Sequence, residues 1–325
     1  MIILEEPIYE TSVPTRNDYN FKLTASLYAT HWDYDGERAY VPIRKGDILG
    51  AAVLMLVKDN IHIEIFSERR DDEFTEEALR VTDYVMALGE DLREFYDLVR
   101  DDPLLAIINR DLRGLHMRAM QSIWEGLLVG ICQQNASFRQ GWLMVTLLRR
   151  VLGSEVLLKK YRHKIALLPT PSEVIARKDL LRGARVGYRA STILECARRF
   201  SRESIEPERL EELRGIGQYT ARIARILALR KYDEFPVDRW FARLIPNAYF
   251  DVDETWPIEK VEKFARERWG KYMGLAAIFI TAVTAAETIG DTLKRIHAKN
   301  INPFPNKPSP FTLWRYAHEW VKSFA

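Results

Sequence analysis

In the first third of the chain, β-branched and aromatic residues form short runs separated by turn-forming pairs that contain Gly, Asp or Asn. Runs of this kind are typical of antiparallel strands. A helical pattern follows from Thr75 to Val99, with Thr75 as the expected N-cap. This part of the chain is therefore predicted to be a small antiparallel sheet with one helix laid on it. The predicted strands cover residues 21–29, 39–43, 48–57 and 61–66.

From about Pro103 onward, hydrophobic residues recur at the 3.6-residue period of helices, as they do at Trp124, Leu127, Leu128 and Ile131. The proline-rich stretch 302–310 is expected to be extended, and 311–324 is expected to form a last helix. The other predicted helices cover residues 141–152, 190–199, 207–213, 218–230, 239–244, 258–269 and 274–288.

Strands followed by helices, rather than an alternation of the two, predict an α+β fold. We expect an antiparallel β domain with one helix at 1–102, followed by a mainly helical region at 103–300. A proline-rich C-terminal extension with a short helix is expected at 301–325. The chain has 325 residues, 47% of them apolar, which is enough for a large buried core.

Composition narrows the classes of function only slightly. The formal net charge is +2, so binding to nucleic acid would need basic residues placed locally. The two cysteines, Cys132 and Cys196, are too few for a four-cysteine iron–sulfur cluster. The N-terminal residues are acidic rather than basic, and no apolar run is long enough to span a membrane. We therefore expect a cytoplasmic protein with no membrane partner.

The segment LRGIGQYTA, from Leu213 to Ala221, is the most informative part of the sequence. Gly215 and Gly217 stand two apart between two helical patterns, and glycine permits positive φ and the close approach of another backbone. The next helix would begin with free N–H groups and the positive end of its dipole, which together can bind a phosphate. The same glycines are also common where two packed helices are simply joined. The segment alone leaves both interpretations open.

Asp238 follows Pro236 and Val237, at the point where another helix is predicted to begin. Taken alone, it is an ordinary N-cap acid. Together, however, the LxGIGxYTA hairpin and the Val-Asp pair at this spacing resemble the helix–hairpin–helix DNA glycosylases with a Gly/Pro-Asp loop.

Three further segments are similar to those of 8-oxoguanine DNA glycosylases: ICQQN at 131–135, VGYRA at 186–190 and WGKYMGLA at 269–276. The strand-rich N-terminal part resembles the β domain that this group shares with 3-methyladenine DNA glycosylase II. The resemblance extends from about residue 20 to residue 290.

The resemblance implies that the protein acts on double-stranded DNA, as a monomer, and flips a damaged base out of the helix. Asp238 would be the catalytic carboxylate. A monovalent cation would lie at the carbonyls of Leu213 and Gly215, and no iron–sulfur cluster or other cofactor is implied. The hairpin that grips the DNA backbone would consist of Leu213, Gly215, Ile216, Gly217 and Gln218.

The chain departs from the 8-oxoguanine enzymes at the lysine nucleophile, whose position is occupied by Tyr219. A lysine amine can form a Schiff base with the sugar and cut the strand, whereas a phenol cannot. Lys231 lies a full helix away. The sequence therefore predicts a monofunctional enzyme that removes a base without strand cleavage.

The predicted base pocket departs as well. Ile223, Ala277 and Thr281 stand where the 8-oxoguanine enzymes have cysteine, glutamine and phenylalanine. A pocket of these residues and Tyr219 has few polar groups and favours stacking on a base whose glycosidic bond is already weak. We rank an alkylated purine ahead of an oxidised or deaminated one.

Other residues have two open interpretations. Asn135 either fills the hole left by the flipped base or ends a helix, and Gln134 is expected to flank it. Tyr188 and Arg189 either line the base pocket or close a turn. Two alternatives for the whole chain also stay open: a bifunctional 8-oxoguanine glycosylase and lyase with a displaced lysine, and a DNA-binding protein that kept the hairpin without the chemistry.

Overall fold

The computed structural model describes residues 1–323 and has the predicted α+β class. Four N-terminal strands form an antiparallel sheet in the order β2-β5-β4-β3. The predicted strands at 39–43, 48–57 and 61–66 are confirmed within β3, β4 and β5. The strand bounds are β1 Ile2–Leu4, β2 Tyr9–Pro14, β3 Arg38–Lys45, β4 Ile48–Val57 and β5 Asn60–Ser67.

The strand predicted at 21–29 is wrong, because these residues begin with a helix, α1, at Phe21–Ser26. The side chain of Asn20 accepts the N–H of Leu23 and so caps the first helical turn. Four residues of this short helix are buried: Phe21, Thr24, Ala25 and Ser26. The run therefore lacks the regular alternation of buried and exposed positions that distinguishes a helix from a strand. The chain then turns sharply at Tyr28, which has a φ of 53°.

The single helix predicted from Thr75 to Val99 is also wrong, because it is two helices. The first, α2, covers Asp72–Met86 and is capped by Asp71, whose carboxylate accepts the N–H of Phe74. Asp71 is thus the N-cap in place of Thr75, which lies inside the helix. The helix ends at Ala87, in the left-handed conformation, and α3 follows at Arg93–Leu98.

A second, three-stranded sheet was missed by the sequence analysis. It has the order β1-β6-β7, with β6 at Glu155–Leu158 and β7 at His163–Ala166. Strand β1 pairs in parallel with β6, so the N-terminus is fixed to the middle of the chain. These strands are only three or four residues long, too short for the alternation of apolar and polar residues to be recognised.

The helical region carries most of the remaining core. The helix predicted at 274–288 ends early, at Val283. The helix predicted at 207–213 is a short 3-10 helix at Pro207–Glu212. The last helix is confirmed, although Phe324, its predicted end, lies outside the described residues. The helix bounds are α4 Ala106–Asp111, α5 Ile123–Gln133, α6 Phe138–Leu152, α7 Pro171–Ala176, α8 Arg189–Phe200, α9 Gln218–Leu229, α10 Arg239–Phe250, α11 Ile258–Trp269, α12 Met273–Val283, α13 Ile289–His297 and α14 Leu313–Lys322.

Helices α5 and α9 pack unusually closely because two glycines of α5 face the partner helix. A Cβ atom on Gly126 would lie 2.6 Å from the carbonyl oxygen of Ala224, and one on Gly130 would lie 2.9 Å from that of Thr220. Any larger side chain would push the helices apart. This close contact fixes the start of α9 relative to the end of α5, where several predicted site residues lie.

The C-terminal segment packs against the N-terminal part of the molecule. The carbonyl of Pro310 accepts the N–H of Tyr28 at 2.7 Å, and the ring of Trp314 lies over Gly36. Phe311 is buried in the same core as the helical region. Within residues 1–323, none of the helices is both long and apolar enough to cross a membrane.

Candidate active site

A cavity of about 1300 Å³ opens beside the hairpin and reaches deep between α5, α6 and α9. It brings together nine of the residues predicted to form the site. Tyr188, Leu213, Ile216 and Gln218 do not line it. The predicted residues that do are Gln134, Asn135, Gly215, Gly217, Tyr219, Ile223, Asp238, Ala277 and Thr281.

The hairpin is a tight turn whose apolar residues point inward. Leu213 and Ile216 are buried, and the N–H of Ile216 is donated to the carbonyl of Leu213 at 3.0 Å. Gly215 has a φ of 84°, and a Cβ atom there would lie 2.7 Å from Thr192 Oγ1. Gly217, the N-cap of α9, provides no side-chain acceptor. The first N–H groups of α9 are therefore open to an acceptor from outside the protein, as a phosphate contact requires.

The two carbonyls predicted to hold a monovalent cation each have one partner already. That of Leu213 accepts the N–H of Ile216, and that of Gly215 accepts the side-chain amide of Gln134. Each oxygen keeps a second lone pair, so the residues fit such an ion. The cation stays a prediction.

Asp238 is the N-cap of α10 and lines the mouth of the cavity. Its Oδ1 accepts the N–H of Phe241 at 2.9 Å. Burial raises the pKa of the Asp238 carboxyl above its ordinary value, although backbone N–H groups of Phe241 and Trp240 act in the opposite direction. No lysine or arginine in the described part of the chain forms an ion pair with it. Its negative charge is thus left uncompensated, in a partly desolvated place.

One phenol, that of Tyr219, lies near this carboxylate, and a second, that of Tyr28, lies near Tyr219. Burial, and then the negative charge of Asp238, raise the pKa of Tyr219 well above its ordinary value. Burial, and then Tyr219, raise the pKa of Tyr28 in the same way. Both phenols therefore stay protonated at neutral pH. Tyr28, Tyr219 and Asp238 all line the cavity.

Aromatic rings form one wall of the cavity. The ring of Tyr28 stacks on Trp142 with centroids 5.7 Å apart, and Phe138 lies 6.2 Å from Tyr28 and 6.4 Å from Trp142. Tyr28 was not among the predicted site residues, because its segment, 21–29, has the pattern of a strand. Trp142 is buried and also faces the cavity. Such a wall can stack on a planar base.

The loop that carries Asn135 is held by its neighbours. The side-chain amide of Gln134 donates to Gly215 O at 3.0 Å and to Thr220 Oγ1 at 2.9 Å. The guanidinium of Arg189 donates to the carbonyl of Gln134. Gln134 is the C-cap of α5, and Asn135 follows in the left-handed conformation, exposed at the rim of the cavity. The loop is thus connected directly to the hairpin.

Tyr188 lies outside the cavity and is 62% exposed. Its hydroxyl is 3.5 Å from the carbonyl of Gln134, and its ring lies beneath the guanidinium of Arg189. Tyr188 and Arg189 therefore close a turn against the Asn135 loop rather than line the base pocket. Gly187, with a φ of 58°, makes that turn.

The remaining pocket residues are small or apolar. Ala277 is buried, Ile223 is partly buried, and the hydroxyl of Thr281 is donated to the carbonyl of Ala277 at 2.9 Å. Lys231 is not at the cavity and lies 3.5 Å from Glu208. Among residues 1–323, Lys307 is the one lysine that lines the cavity, and its amine lies 2.6 Å from Glu287 Oε1.

No protein-family model matches the sequence, and no curated protein matches it. The fold does match solved structures. A 3-methyladenine DNA-glycosylase from Archaeoglobus fulgidus aligns with a TM-score of 0.70 and 22% identity, over 83% of this chain and 96% of its own. An 8-oxoguanine glycosylase/lyase from Clostridium acetobutylicum aligns in its apo-form with a TM-score of 0.61 and 16% identity, over 86% of this chain and 97% of its own.

The same Clostridium enzyme in complex with double-stranded DNA aligns with a TM-score of 0.62, over 91% of this chain and 98% of its own. Almost the whole of each of these proteins is therefore matched. The fold that the hairpin motif implied is confirmed: the chain is folded like these 3-methyladenine and 8-oxoguanine DNA glycosylases.

Proposed function

We propose that this protein is a monofunctional DNA N-glycosylase that flips a damaged purine out of double-stranded DNA and hydrolyses its N-glycosidic bond. The observation that carries this proposal is the position of Asp238. Its uncompensated carboxylate lies at the mouth of a deep cavity, beside Tyr219 and close to an open helix N-terminus. A site for a phosphate, a space for a base and a negative charge are thus found together.

The chemistry follows from that charge. When a base leaves, positive charge develops on the sugar, and the carboxylate of Asp238 would stabilise it in a place with little water. A water molecule then adds to C1′ and gives up a proton, for which the same carboxylate is an acceptor. A raised pKa makes Asp238 a better proton acceptor than an ordinary aspartate. Tyr219 cannot replace the water, because a phenol does not form an imine with the sugar.

The cavity wall favours an alkylated purine ahead of an oxidised or deaminated one. An alkylated purine carries a positive charge, and the aromatic wall of Tyr28, Phe138 and Trp142 would attract it through its π faces. Such a base leaves as a neutral molecule and needs no proton donor. The hydroxyl of Thr281, the polar group nearest to Ala277, is already donated to its own helix.

A panel of labelled duplexes, each with one lesion, tests this function. After incubation and alkali treatment, we expect strand breaks at an alkylated purine, more slowly at oxidised or deaminated purines, and none without alkali. Asp238→Asn should lower the single-turnover rate by about 10²–10³, the usual effect of removing one electrostatic stabiliser. Asp71→Asn, the same change at the N-cap of α2, is the matched control and should keep full activity. Equal rates for Asp238→Asn and the wild type would refute the assignment.

A bifunctional enzyme is the second candidate, because Lys307 puts one amine at the cavity. That amine already forms an ion pair with Glu287, 2.6 Å from its Oε1, and this pair would have to break before the amine could attack the sugar. Borohydride should therefore trap no covalent adduct between the wild type and lesion DNA. An adduct that disappears in Lys307→Ala would establish the bifunctional enzyme instead. If the protein bound the lesion duplexes but released no base from any of them, it would be a DNA-binding protein without glycosylase activity.

A further inference from the structure

The cavity is much deeper than a base pocket. Three helices line it lengthwise, from Gln133 back to Glu125 on α5, from Phe138 to Arg149 on α6, and from Thr220 to Leu227 on α9. At 1.5 Å per residue, the stretches on α5 and α6 measure about 12 Å and about 16 Å. Its volume of about 1300 Å³ also exceeds the range of roughly 300–1,000 Å³ that is common for one small ligand. A base at the mouth would leave the inner end free.

The inner end is charged, whereas the middle of the cavity is apolar. Among the apolar residues that line the cavity are Leu27, Val129 and Val145, all of them buried. The inner group consists of Asp33, Arg118, Gln121, Glu125 and Arg149.

Asp33 and Arg149 satisfy each other. Two nitrogens of Arg149 donate to the two carboxylate oxygens at 2.7 and 3.0 Å, and the N–H and hydroxyl of Thr30 donate to Asp33 as well. Burial opposes the ionisation of Asp33, but Arg149 and then Arg118 hold its pKa well below the ordinary value. With four donors already on its carboxylate, Asp33 has little capacity for another partner.

Arg118 is the exception at this inner end. Across residues 1–323, its guanidinium forms no hydrogen bond and no ion pair, and its Nε is buried without an acceptor. Burial lowers the pKa of Arg118. The negative charge of Asp33 acts against this shift, and the positive charge of Arg149 adds to it. A guanidinium carries five N–H donors and loses its charge in no ordinary condition, so one that is partly buried and unpaired is costly.

Glu125 does not compensate that charge. One of its carboxylate oxygens accepts the N–H of Gln121 at 2.9 Å, and no arginine or lysine lies within ion-pair distance among the described residues. Burial raises the pKa of the Glu125 carboxyl, which favours its neutral form. A neutral carboxyl can donate its proton to an anion. The guanidinium of Arg118 therefore lines the cavity with no hydrogen-bond or ion-pair partner among the described residues.

We propose that the inner end of the cavity is a binding site for a small oxyanion, such as phosphate or a carboxylate, held by the guanidinium of Arg118. The planar fork of donors on a guanidinium matches two oxygens of such an anion. This inference needs only the cavity and its charges and is independent of the proposed glycosylase activity.

Thermal unfolding of the full chain tests the site, with inorganic phosphate, formate and chloride compared at equal ionic strength. Phosphate also stabilises proteins without binding, because it is excluded from their surface. Arg118→Met is therefore the reference, since it shows the rise in Tm that does not depend on Arg118. Arg113→Met is the matched control, since it removes an exposed arginine five residues away. The wild type and Arg113→Met should show a saturable rise in Tm of about 2 °C or more in phosphate beyond that of Arg118→Met. A similar rise in formate would identify a carboxylate site as well.

Arg118→Met should also be at least as stable as the wild type without oxyanion, because it removes an unpaired buried charge. An equal rise in Arg118→Met would assign the anion to another site, such as the N-terminus of α9, and overturn the proposal. Failure of this variant to fold would do the same, because it would show a structural partner for Arg118. A second measurement uses wild-type crystals soaked in selenate. An anomalous peak beside the Arg118 guanidinium is expected, and peaks only elsewhere would contradict the site.

Discussion

The cavity has an aspartate at each end, and the two carboxylates differ in their partners. At the inner end, Asp33 is bound by Arg149 and Thr30, and its pKa is held below the ordinary value. At the mouth, Asp238 accepts backbone N–H groups only, and burial raises its pKa. A buried charge that is paired becomes part of the fold, because the loss of its partner is strongly destabilising. A buried charge without such a partner is typical of functional sites. The difference in partners thus separates a structural aspartate from a functional one.

The largest effect is expected from breaking the inner pair. Arg149→Met leaves Asp33 buried without its partner and should lower the free energy of unfolding by about 3–5 kcal/mol. Urea denaturation measures this loss. Arg150→Met is the matched control, since Arg150 pairs with Glu155 at the surface, 3.3 Å away, and such pairs contribute about 0–1 kcal/mol. If both variants lost the same amount, the inner pair would not be the structural element that we describe.

A smaller effect is expected at the mouth, from Gln134→Ala. This change removes the donor to Gly215 O and Thr220 Oγ1 and frees the Asn135 loop from the hairpin. One hydrogen bond contributes about 0.5–1.5 kcal/mol, so the rate of base removal should fall by about tenfold. Fluorescence of 2-aminopurine next to the lesion should show slower flipping. Gln133→Ala is the control, because the amide nitrogen of Gln133 has no hydrogen-bond partner. An equal fall in the rate for Gln133→Ala would show that the hydrogen bonds of Gln134 are not the cause.

The sequence predicted the parts of the site that short-range geometry determines. The hairpin depends on Gly215 and its neighbours, and the position of Asp238 depends on Pro236 and the helix that follows. Each is set by the conformation of a few consecutive residues, so a motif can represent it. The fold class followed for the same reason, since strand and helix periods are local.

The missed parts depend on residues far apart in the chain. Tyr28 reaches the cavity because Pro310, from the other end of the protein, binds its N–H and supports its left-handed conformation. Strand β1 exists because β6 lies beside it. Arg118 has no partner because Asp33 is already paired with Arg149, and only the structure shows that pair. No local pattern carries such information.

The smallest effect, and the most discriminating one, concerns the stability of Asp238→Asn. Because the folded state raises the pKa of Asp238, it binds the proton more tightly than the unfolded chain does, and the wild type loses stability as pH rises through the folded pKa. Asparagine keeps the N-cap but carries no charge. Asp238→Asn should thus be at least as stable as the wild type at pH 7, with a difference that shrinks toward pH 4. Asp33→Asn should behave in the opposite way: because the pKa of Asp33 is lowered, the variant is less stable than the wild type at pH 7, and this deficit shrinks only below about pH 4. Urea denaturation at pH 7 and pH 4 measures the first effect, and urea denaturation at pH 7 and about pH 3 measures the second. An Asp238→Asn protein that is less stable than the wild type at pH 7 would mean that this carboxylate, too, has a structural partner, and the contrast between the two ends of the cavity would be lost.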